Sequence, residues 1–386
     1  MLRPSKKVTN TAKTIEVQPL SGFKKALAYA VDRKLAPLIR LGSLVRIPLG
    51  HRKTMGIVSS LDPESPPPSV EKLKFVLSLV QDDPVLSPDL IALARWMSGY
   101  YATSIESVLE GMIPAAVRDG MGEKTKRMLE ITKLGSTDKG KQLVARSPKQ
   151  RVLLEFLIQK AGPIPLNESI KNLGVGESVA KGLMEKGLAK ETKDAVKRVA
   201  YSDDLMDSAG EGYAEVKLTD EQSKASEEIK ESLKTNRFST HMLLGITGSG
   251  KTEVYFEAME EALSMGGSVL FLVPEVALAP QTVSRLRHRF SKQGEQVVVW
   301  HSHLSAGERL DAWSSITQGD AKIVVGARSA VFAPVSNLRL VVVDEEHEPA
   351  YKQDENPRYH GRDVAVYRAM LNEAVCVLGS ATPSLE

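Results

Sequence analysis

Residues 245–252, Gly-Ile-Thr-Gly-Ser-Gly-Lys-Thr, constrain the fold of this chain more than any other segment. They follow a short apolar run, 242–244, and precede a helical pattern from Glu253, which is the context that a phosphate-binding loop requires. Glycines let consecutive backbone N–H groups surround a phosphate, and a helix N-terminus adds partial positive charge. We therefore predict that Lys251 reaches the β- and γ-phosphates and that the Thr252 hydroxyl ligates Mg²⁺. The other nucleotide contacts predicted in this loop are Gly245, Thr247, Gly248, Ser249 and Gly250.

A second segment supplies the acids that hydrolysis needs. The apolar run 340–343 ends at Asp344, Glu345, Glu346 and His347. Such a strand end is often only a helix N-cap. Because it follows a phosphate-binding loop on another apolar strand, we predict that Asp344 holds the magnesium ion. Glu345 would orient and deprotonate the attacking water, so the pair of segments indicates a nucleotide hydrolase.

The region from Leu218 onward alternates between strand and helix patterns. Apolar strands are predicted at 242–244, 268–273, 297–300, 323–325, 338–343 and 375–378. Several are continuously apolar, as expected for parallel strands covered on both faces. The sequence therefore predicts an α/β fold with a parallel sheet.

The preceding residues divide into smaller parts. Strand patterns at 15–17, 43–50 and 55–58 predict a small β unit, a proline-rich loop follows at 62–68, and residues 87–109 have helical spacing. Helices predicted at 150–160, 168–173 and 178–186 precede two strand patterns at 188–190 and 196–199. Three helices and a basic hairpin turning at Asp194 are typical of a winged helix that binds DNA or only packs against other domains. Residues 201–214 are acidic, small and non-periodic, as in a linker.

Composition sets the protein class. The single cysteine, Cys376, excludes an intramolecular disulfide and a cysteine-cluster metal site. No apolar run approaches the roughly 18–20 residues of a membrane-spanning helix, and no secretory signal is recognisable, so we expect a cytoplasmic protein without a membrane partner. Residues 1–60 and 121–200 are rich in lysine and arginine, which indicates either polyanion binding or ordinary solvated faces.

From Leu218 to Glu386 the ordered motifs resemble the first RecA-like lobe of superfamily 2 helicases, and specifically the PriA-type replication-restart helicases, also called primosomal protein N′. The segments that carry the resemblance are 218–222, 245–252, 274–281, 300–304 with 308–309, 326–332, 344–347, 351–353 with 358–359, and 379–383. Weaker matches at 27–29, 42–45, 48–50 and 56–58 are similar to the family's small β domain, which holds the 3′ end of a nascent strand. The family usually has Phe-Asp-Tyr where this chain has Leu27, Ala28 and Tyr29.

The resemblance implies a domain order and a set of site residues. We expect a small β-rich DNA-binding domain with trailing helices at 1–118, a winged-helix domain at 119–200, the linker at 201–214 and the RecA-like lobe at 215–386. Gln222 would read the adenine of ATP. His347, Ser380 and Thr382 would couple the nucleotide site to the DNA site. The DNA contacts implied are Tyr29, Thr282, Arg328, Ser329, Tyr351, Lys352, Arg358 and Tyr359. Packing beneath a loop is the other interpretation of Tyr351 and Tyr359, and a solvated helix face is preferred for Arg285, Arg287, His288 and Arg289.

The implied activity is that of an ATP-dependent 3′–5′ DNA helicase that recognises stalled or abandoned forks and promotes primosome assembly, with forked DNA, single strands, a 3′ end and single-strand-binding proteins as partners. The second RecA-like lobe and the family's zinc module do not appear in these residues. We therefore expect no zinc, slow hydrolysis and no unwinding by this chain alone. Two alternatives remain: a truncated, non-catalytic DNA-binding module, and another superfamily 2 DNA translocase.

Overall fold

The computed structural model describes residues 13–63, 73–119, 125–160, 162, 164–195, 217–274, 280–291, 296–302 and 304–385. The loop predicted at 62–68 lies outside these ranges from residue 64 onward, and the predicted linker at 201–214 lies outside them entirely. None of the helices within these ranges combines the length and the apolar composition needed to cross a membrane.

The first part of the chain forms a five-stranded antiparallel sheet. Its strands are β1 (Lys13–Pro19), β2 (Leu27–Val31), β3 (Leu44–Leu49), β4 (Arg52–Ser60) and β5 (Ser78–Leu79), in the order β2-β1-β4-β3-β5. Residues 74–80 hydrogen-bond both to Ala30 of β2 and to β3, so they join the two ends of the sheet. The result is a small barrel around a core that includes Ile15, Val17, Tyr29, Val45 and Val58. The predicted β-rich region is therefore confirmed.

Three helices follow this barrel: α1 (Pro88–Tyr100), α2 (Ile105–Met112) and α3 (Ala115–Arg118). The prediction of one helical stretch over 87–109 is wrong, because Ala102 adopts a φ of +49° and ends the first helix. Ser104 then starts α2 by accepting a hydrogen bond from the Ser107 N–H. A non-glycine residue in the left-handed region is uncommon and has no clear sequence signal.

Residues 122–198 form a separate compact unit. It contains β6 (Thr125–Ile131), α4 (Asp138–Leu143), α5 (Pro148–Lys160), β7 (Ile164–Pro165), α6 (Leu166–Leu173), α7 (Glu177–Glu185) and β8 (Ala189–Ala195), with the antiparallel order β7-β6-β8. The predicted turn at Asp194 is wrong, because β8 runs straight through that residue and pairs along its length with β6, whereas the second strand predicted for the hairpin, 196–199, lies outside the described residues. The winged-helix assignment itself stays a prediction.

The last part of the chain is an α/β lobe. Its elements are α8 (Asp220–Lys234), β9 (Ser239–Leu244), α9 (Lys251–Ser264), β10 (Ser268–Leu272), α10 (Pro280–Ser291), β11 (Gln296–Trp300), α11 (Ala306–Thr317), β12 (Ala321–Gly326), β13 (Leu338–Val343), β14 (Lys352–Gln353), β15 (Tyr359–His360), α12 (Gly361–Leu371) and β16 (Val375–Ser380). Six of the strands form a parallel sheet in the order β11-β12-β10-β13-β16-β9. All six predicted strands and their parallel arrangement are confirmed. The central strands β10, β13 and β16 are almost completely buried, as sheets covered on both faces require.

The helices that follow the barrel pack into the core of this α/β lobe. One continuous apolar cluster contains Leu90, Met97 and Leu109 from those helices together with strand and helix residues of the lobe. At its edge the Trp96 ring stacks on Tyr367 of α12, with ring centroids 4.0 Å apart. The barrel helices and the α/β lobe therefore belong to one compact unit.

Candidate nucleotide-binding site

The phosphate-binding loop lies between β9 and α9, at the C-terminal edge of the parallel sheet. Gly250 adopts a φ of +82°, and a Cβ atom there would lie 2.3 Å from Nε2 of Gln222. Only glycine meets both conditions, since L-residues avoid this region of φ and the space is already taken. The loop is thus shaped for close backbone approach to an anion.

Gln222 holds this loop from the side. It is the third residue of α8 and forms a capping box with Thr219, in which each side chain bonds the other's backbone N–H. The same amide donates from Nε2 to the carbonyl of Ser249, at 2.7 Å. The helix start predicted to read the nucleotide is therefore attached directly to the phosphate-binding loop.

The Lys251 ammonium joins the loop to the acidic strand end. It is 9% exposed, donates to the Gly245 carbonyl at 2.7 Å and lies 3.2 Å from Oε1 of Glu345. The two segments that the sequence predicted to act together are thus within contact distance. The following residue, Thr252, occupies the first turn of α9.

Asp344 is positioned by two tyrosines. The Tyr255 hydroxyl donates to Oδ1 of Asp344 at 2.9 Å, and the Tyr351 hydroxyl donates to its backbone carbonyl at 2.7 Å. Burial raises the pKa of Asp344, Glu345 raises it further, and the Tyr255 hydrogen bond opposes this rise. Burial also raises the pKa of both tyrosines, so they remain neutral donors.

The end of β16 lies between the other two strand ends. The Ser380 carbonyl accepts a hydrogen bond from the Gly245 N–H at 3.1 Å, and the Ser380 hydroxyl lies 2.8 Å from Nδ1 of His347. The Thr382 N–H donates to that hydroxyl at 3.2 Å. The three residues predicted to couple the sites therefore lie together, although their coupling role stays a prediction.

Glu346 forms a buried polar cluster beside this site. Its carboxylate accepts from Arg362 at 3.0 Å, from the Ser384 N–H at 2.9 Å and from the Ser384 hydroxyl at 3.1 Å. Burial favours the protonated form, but these hydrogen bonds together hold the pKa of Glu346 below its ordinary value. Because Arg362 is committed to this cluster and only 8% exposed, it is not an open cation for DNA.

A groove of about 270 Å³ lies near the strand ends. Its lining residues are Val273, Pro274, Ser302, Ala327, Arg328, Ser329, Ala350 and Tyr351. The Arg328 guanidinium donates to the carbonyls of Ala350, at 3.2 Å, and Lys352, at 2.5 Å. Three predicted DNA contacts, Arg328, Ser329 and Tyr351, thus line one groove. The side chain of Thr282, a fourth, lies outside the described residues.

Three predicted aromatic DNA contacts are corrected by their burial. Tyr351 is 1% exposed and Tyr359 3% exposed, because the first supports Asp344 and the second packs against Phe332. Tyr29 is also 3% exposed, and its hydroxyl donates to the Pro48 carbonyl at 3.1 Å. None of these rings offers a face to a base. Lys352 and Arg358, by contrast, are exposed.

Two residues of the basic cluster on α10, Arg285 and Arg289, differ from the prediction of a solvated face. Arg285 pairs with Glu253 at 2.6 Å, while Arg289 pairs with Glu257 at 2.9 Å and with Glu260 at 2.7 Å. These arginines attach α10 to α9 and are structural.

Tyr255 and the Glu346–Arg362 cluster were not predicted from the sequence. Tyr255 lies one helical turn after Lys251, and its hydroxyl reaches the acidic strand end through the space left by Gly379, where a Cβ atom would lie 1.6 Å from that hydroxyl. The i, i+4 spacing from the loop lysine was the available signal.

The residues fit a nucleoside triphosphate with a divalent cation. A glycine loop at a helix N-terminus, a buried lysine and a hydroxyl in the first turn face an aspartate and a glutamate across the sheet edge. The glycine loop and the lysine suit phosphate oxygens, and the oxygen donors Thr252 and Asp344 suit a hard cation.

Comparisons with known proteins match two parts of the chain to known families. Residues 15–114 match the family described as 3′DNA-binding domain (3′BD), and residues 215–385 match the family described as Type III restriction enzyme, res subunit. The chain is 33% identical to a replication restart protein PriA of Bacillus subtilis, over 98% of this chain and 54% of that protein. It is 38% identical to a protein of the same name in Chlamydia pneumoniae, over 95% of this chain and 48% of that protein. The chain thus spans about half the length of these curated relatives.

Proposed function

Because the chain belongs to the PriA family of replication restart proteins, we propose that it supplies the ATP-binding and DNA-binding parts of an ATP-dependent 3′–5′ DNA helicase. The intact protein would recognise stalled or abandoned forks and promote primosome assembly, with primosome and single-strand-binding proteins as partners.

One observation carries this proposal. The Lys251 ammonium lies 3.2 Å from Glu345, whose neighbour Asp344 is held by Tyr255 from the lysine's own helix. A phosphate-binding loop and an acid pair that meet at one sheet edge are the minimum for hydrolysing a nucleoside triphosphate.

The residues divide the work as follows. Thr252 and Asp344 would hold Mg²⁺, which would supply charge neutralisation at the phosphates. When the nucleotide binds, Lys251 leaves Glu345 and contacts the phosphates instead. Glu345 is then free to orient the attacking water and accept its proton. Gln222 binds the adenine edge while it stabilises the loop through Ser249.

DNA would follow the groove beside this site. Arg328 and Ser329 line it, Thr282 lies in the first turn of α10, and Lys352 and Arg358 are exposed on the adjoining segment. The groove reaches Tyr351, which contacts Asp344. His347, Ser380 and Thr382 provide a second connection. DNA in this groove would therefore influence the acid pair.

Lys251→Ala is the decisive test of nucleotide binding. It removes the predicted phosphate contact, and we expect Mg·ATP affinity to fall by at least about tenfold, measured by equilibrium binding of a fluorescent ATP analogue. Lys234→Ala is the matched control, because that ammonium lies 3.9 Å from Glu261 on an exposed surface. Equal affinities for the two variants would contradict the proposal.

Another superfamily 2 translocase is the second candidate, since residues 215–385 match a restriction-enzyme family. DNA binding by the wild-type chain separates the two candidates. A replication-restart protein should bind a fork with a nascent 3′ end at the junction more tightly than plain duplex, whereas equal affinity would favour the translocase.

A further inference from the structure

The connection between β1 and β2 exposes an aromatic ring beside two lysines. Residues 21–26, which include Phe23, Lys24 and Lys25, are all exposed, and the Phe23 side chain is 40% exposed. The barrel therefore presents a large apolar ring and two positive charges on one short loop.

Buried polar side chains hold this loop in place. Gln18 is 1% exposed and donates from Nε2 to the Phe23 carbonyl at 2.6 Å. Glu106 of α2 is 6% exposed and accepts from the Gly22 N–H. Both bonds act on the backbone next to the ring, so they fix the position of Phe23 without covering it.

This arrangement has a cost in stability. Oε1 of Gln18 is buried and has no hydrogen-bond partner among the described residues, and Glu106 is a carboxylate removed from water. Such groups usually cost free energy, and they persist where a fixed geometry serves a function. A loop that needed only to connect two strands would not require them.

We propose that Phe23 stacks on a base of unpaired DNA while Lys24 and Lys25 contact the flanking phosphates. An aromatic face with adjacent lysines is the chemistry that binds single strands without reading their sequence. The loop precedes β2, which carries Leu27 and Ala28, so it would hold the strand beside that segment of the barrel. The inference rests on the proposed DNA binding and adds a specific contact to it.

The test compares Phe23→Ala with Leu38→Ala, which removes a 49% exposed side chain from the connection after the other end of β2. Affinity for a partial duplex with an unpaired strand is measured by fluorescence anisotropy. We expect Phe23→Ala to weaken binding by about fivefold or more, Leu38→Ala to leave it unchanged, and Phe23→Trp to retain it. A 2-aminopurine in the unpaired strand should be quenched by the wild type and not by Phe23→Ala.

The lysines are tested through salt dependence. Lys24→Gln with Lys25→Gln should reduce the slope of log affinity against log salt by about 0.7 per lost phosphate contact. If the wild-type chain binds DNA and these variants match it in affinity, quenching and slope, this inference is wrong while the proposed function stands. If the wild-type chain binds no DNA, both fail.

Discussion

Glu346 is a buried carboxylate whose partners can be removed one at a time. Glu346→Gln keeps an acceptor for the Ser384 N–H but removes the charge facing Arg362, which keeps its ion pair with Asp363, at 3.0 Å. We expect a loss of about 2–4 kcal/mol of unfolding free energy, somewhat below the usual cost of breaking a buried pair because Asp363 remains. Urea unfolding at neutral pH measures it.

The pH dependence of this cluster has a definite sign. The pKa of Glu346 is lowered on folding, so its contribution is complete above the ordinary glutamate value of 4.5 and is lost as the pH falls through the lower folded value. Between pH 6 and 3 the wild type should lose more stability than Glu346→Gln. If the unfolding free energies of the two proteins fell in parallel with pH, the lowered pKa of Glu346 would be contradicted.

At the scale of elements, two helices carry the same N-terminal capping box in different surroundings. Thr219 with Gln222 starts α8, and Ser305 with Glu308 starts α11. Thr219→Ala and Ser305→Ala should each lower the unfolding free energy by about 1 kcal/mol, because each removes one N-terminal cap.

Only Thr219→Ala should affect the nucleotide, since Gln222 also holds the Ser249 carbonyl. We expect ATP to bind a few-fold more weakly to Thr219→Ala and unchanged to Ser305→Ala, by calorimetry. A similar loss of affinity in both variants would indicate a general effect of stability instead.

The elements also show what the sequence could predict. The six parallel strands were recognisable because each contains an apolar run of its own, which is largely buried in five of them and partly exposed in β9. β8 was not, because residues 189–195 are mostly polar and their hydrogen bonds go to β6, about sixty residues earlier in the chain.

Within the site, the phosphate-binding loop and the acids follow from local motifs. The burial of Tyr351 and Tyr359 depends on tertiary packing and has no local pattern.

For the whole molecule, the fully buried Arg368 connects the lobe to the barrel helices. Its guanidinium donates to Asp89, at the start of α1, at 3.2 Å and to the Val331 carbonyl at 2.5 Å. Asn372 also donates to Asp89, at 3.2 Å. Removing the carboxylate would leave a buried positive charge without its acid.

Asp89→Ala should therefore lower the unfolding free energy by about 3–5 kcal/mol. Because the barrel helices share a core with the lobe, hydrogen exchange should accelerate in β4 and in β13 together. Asp138→Ala is the control, since that side chain is 92% exposed and its pair with Lys141 should contribute little. Faster exchange in β4 alone would show that the two parts open independently.

The contact between Lys251 and Glu345 has a consequence for when the site can hydrolyse a nucleotide. In this conformation Glu345, the proposed base, is paired with Lys251, the side chain proposed to hold the phosphates. A nucleotide whose β- or γ-phosphate engages the lysine would release the glutamate, whereas a nucleoside monophosphate would leave the two side chains paired. The proposed base would thus become available only when a nucleotide carrying these phosphates is bound.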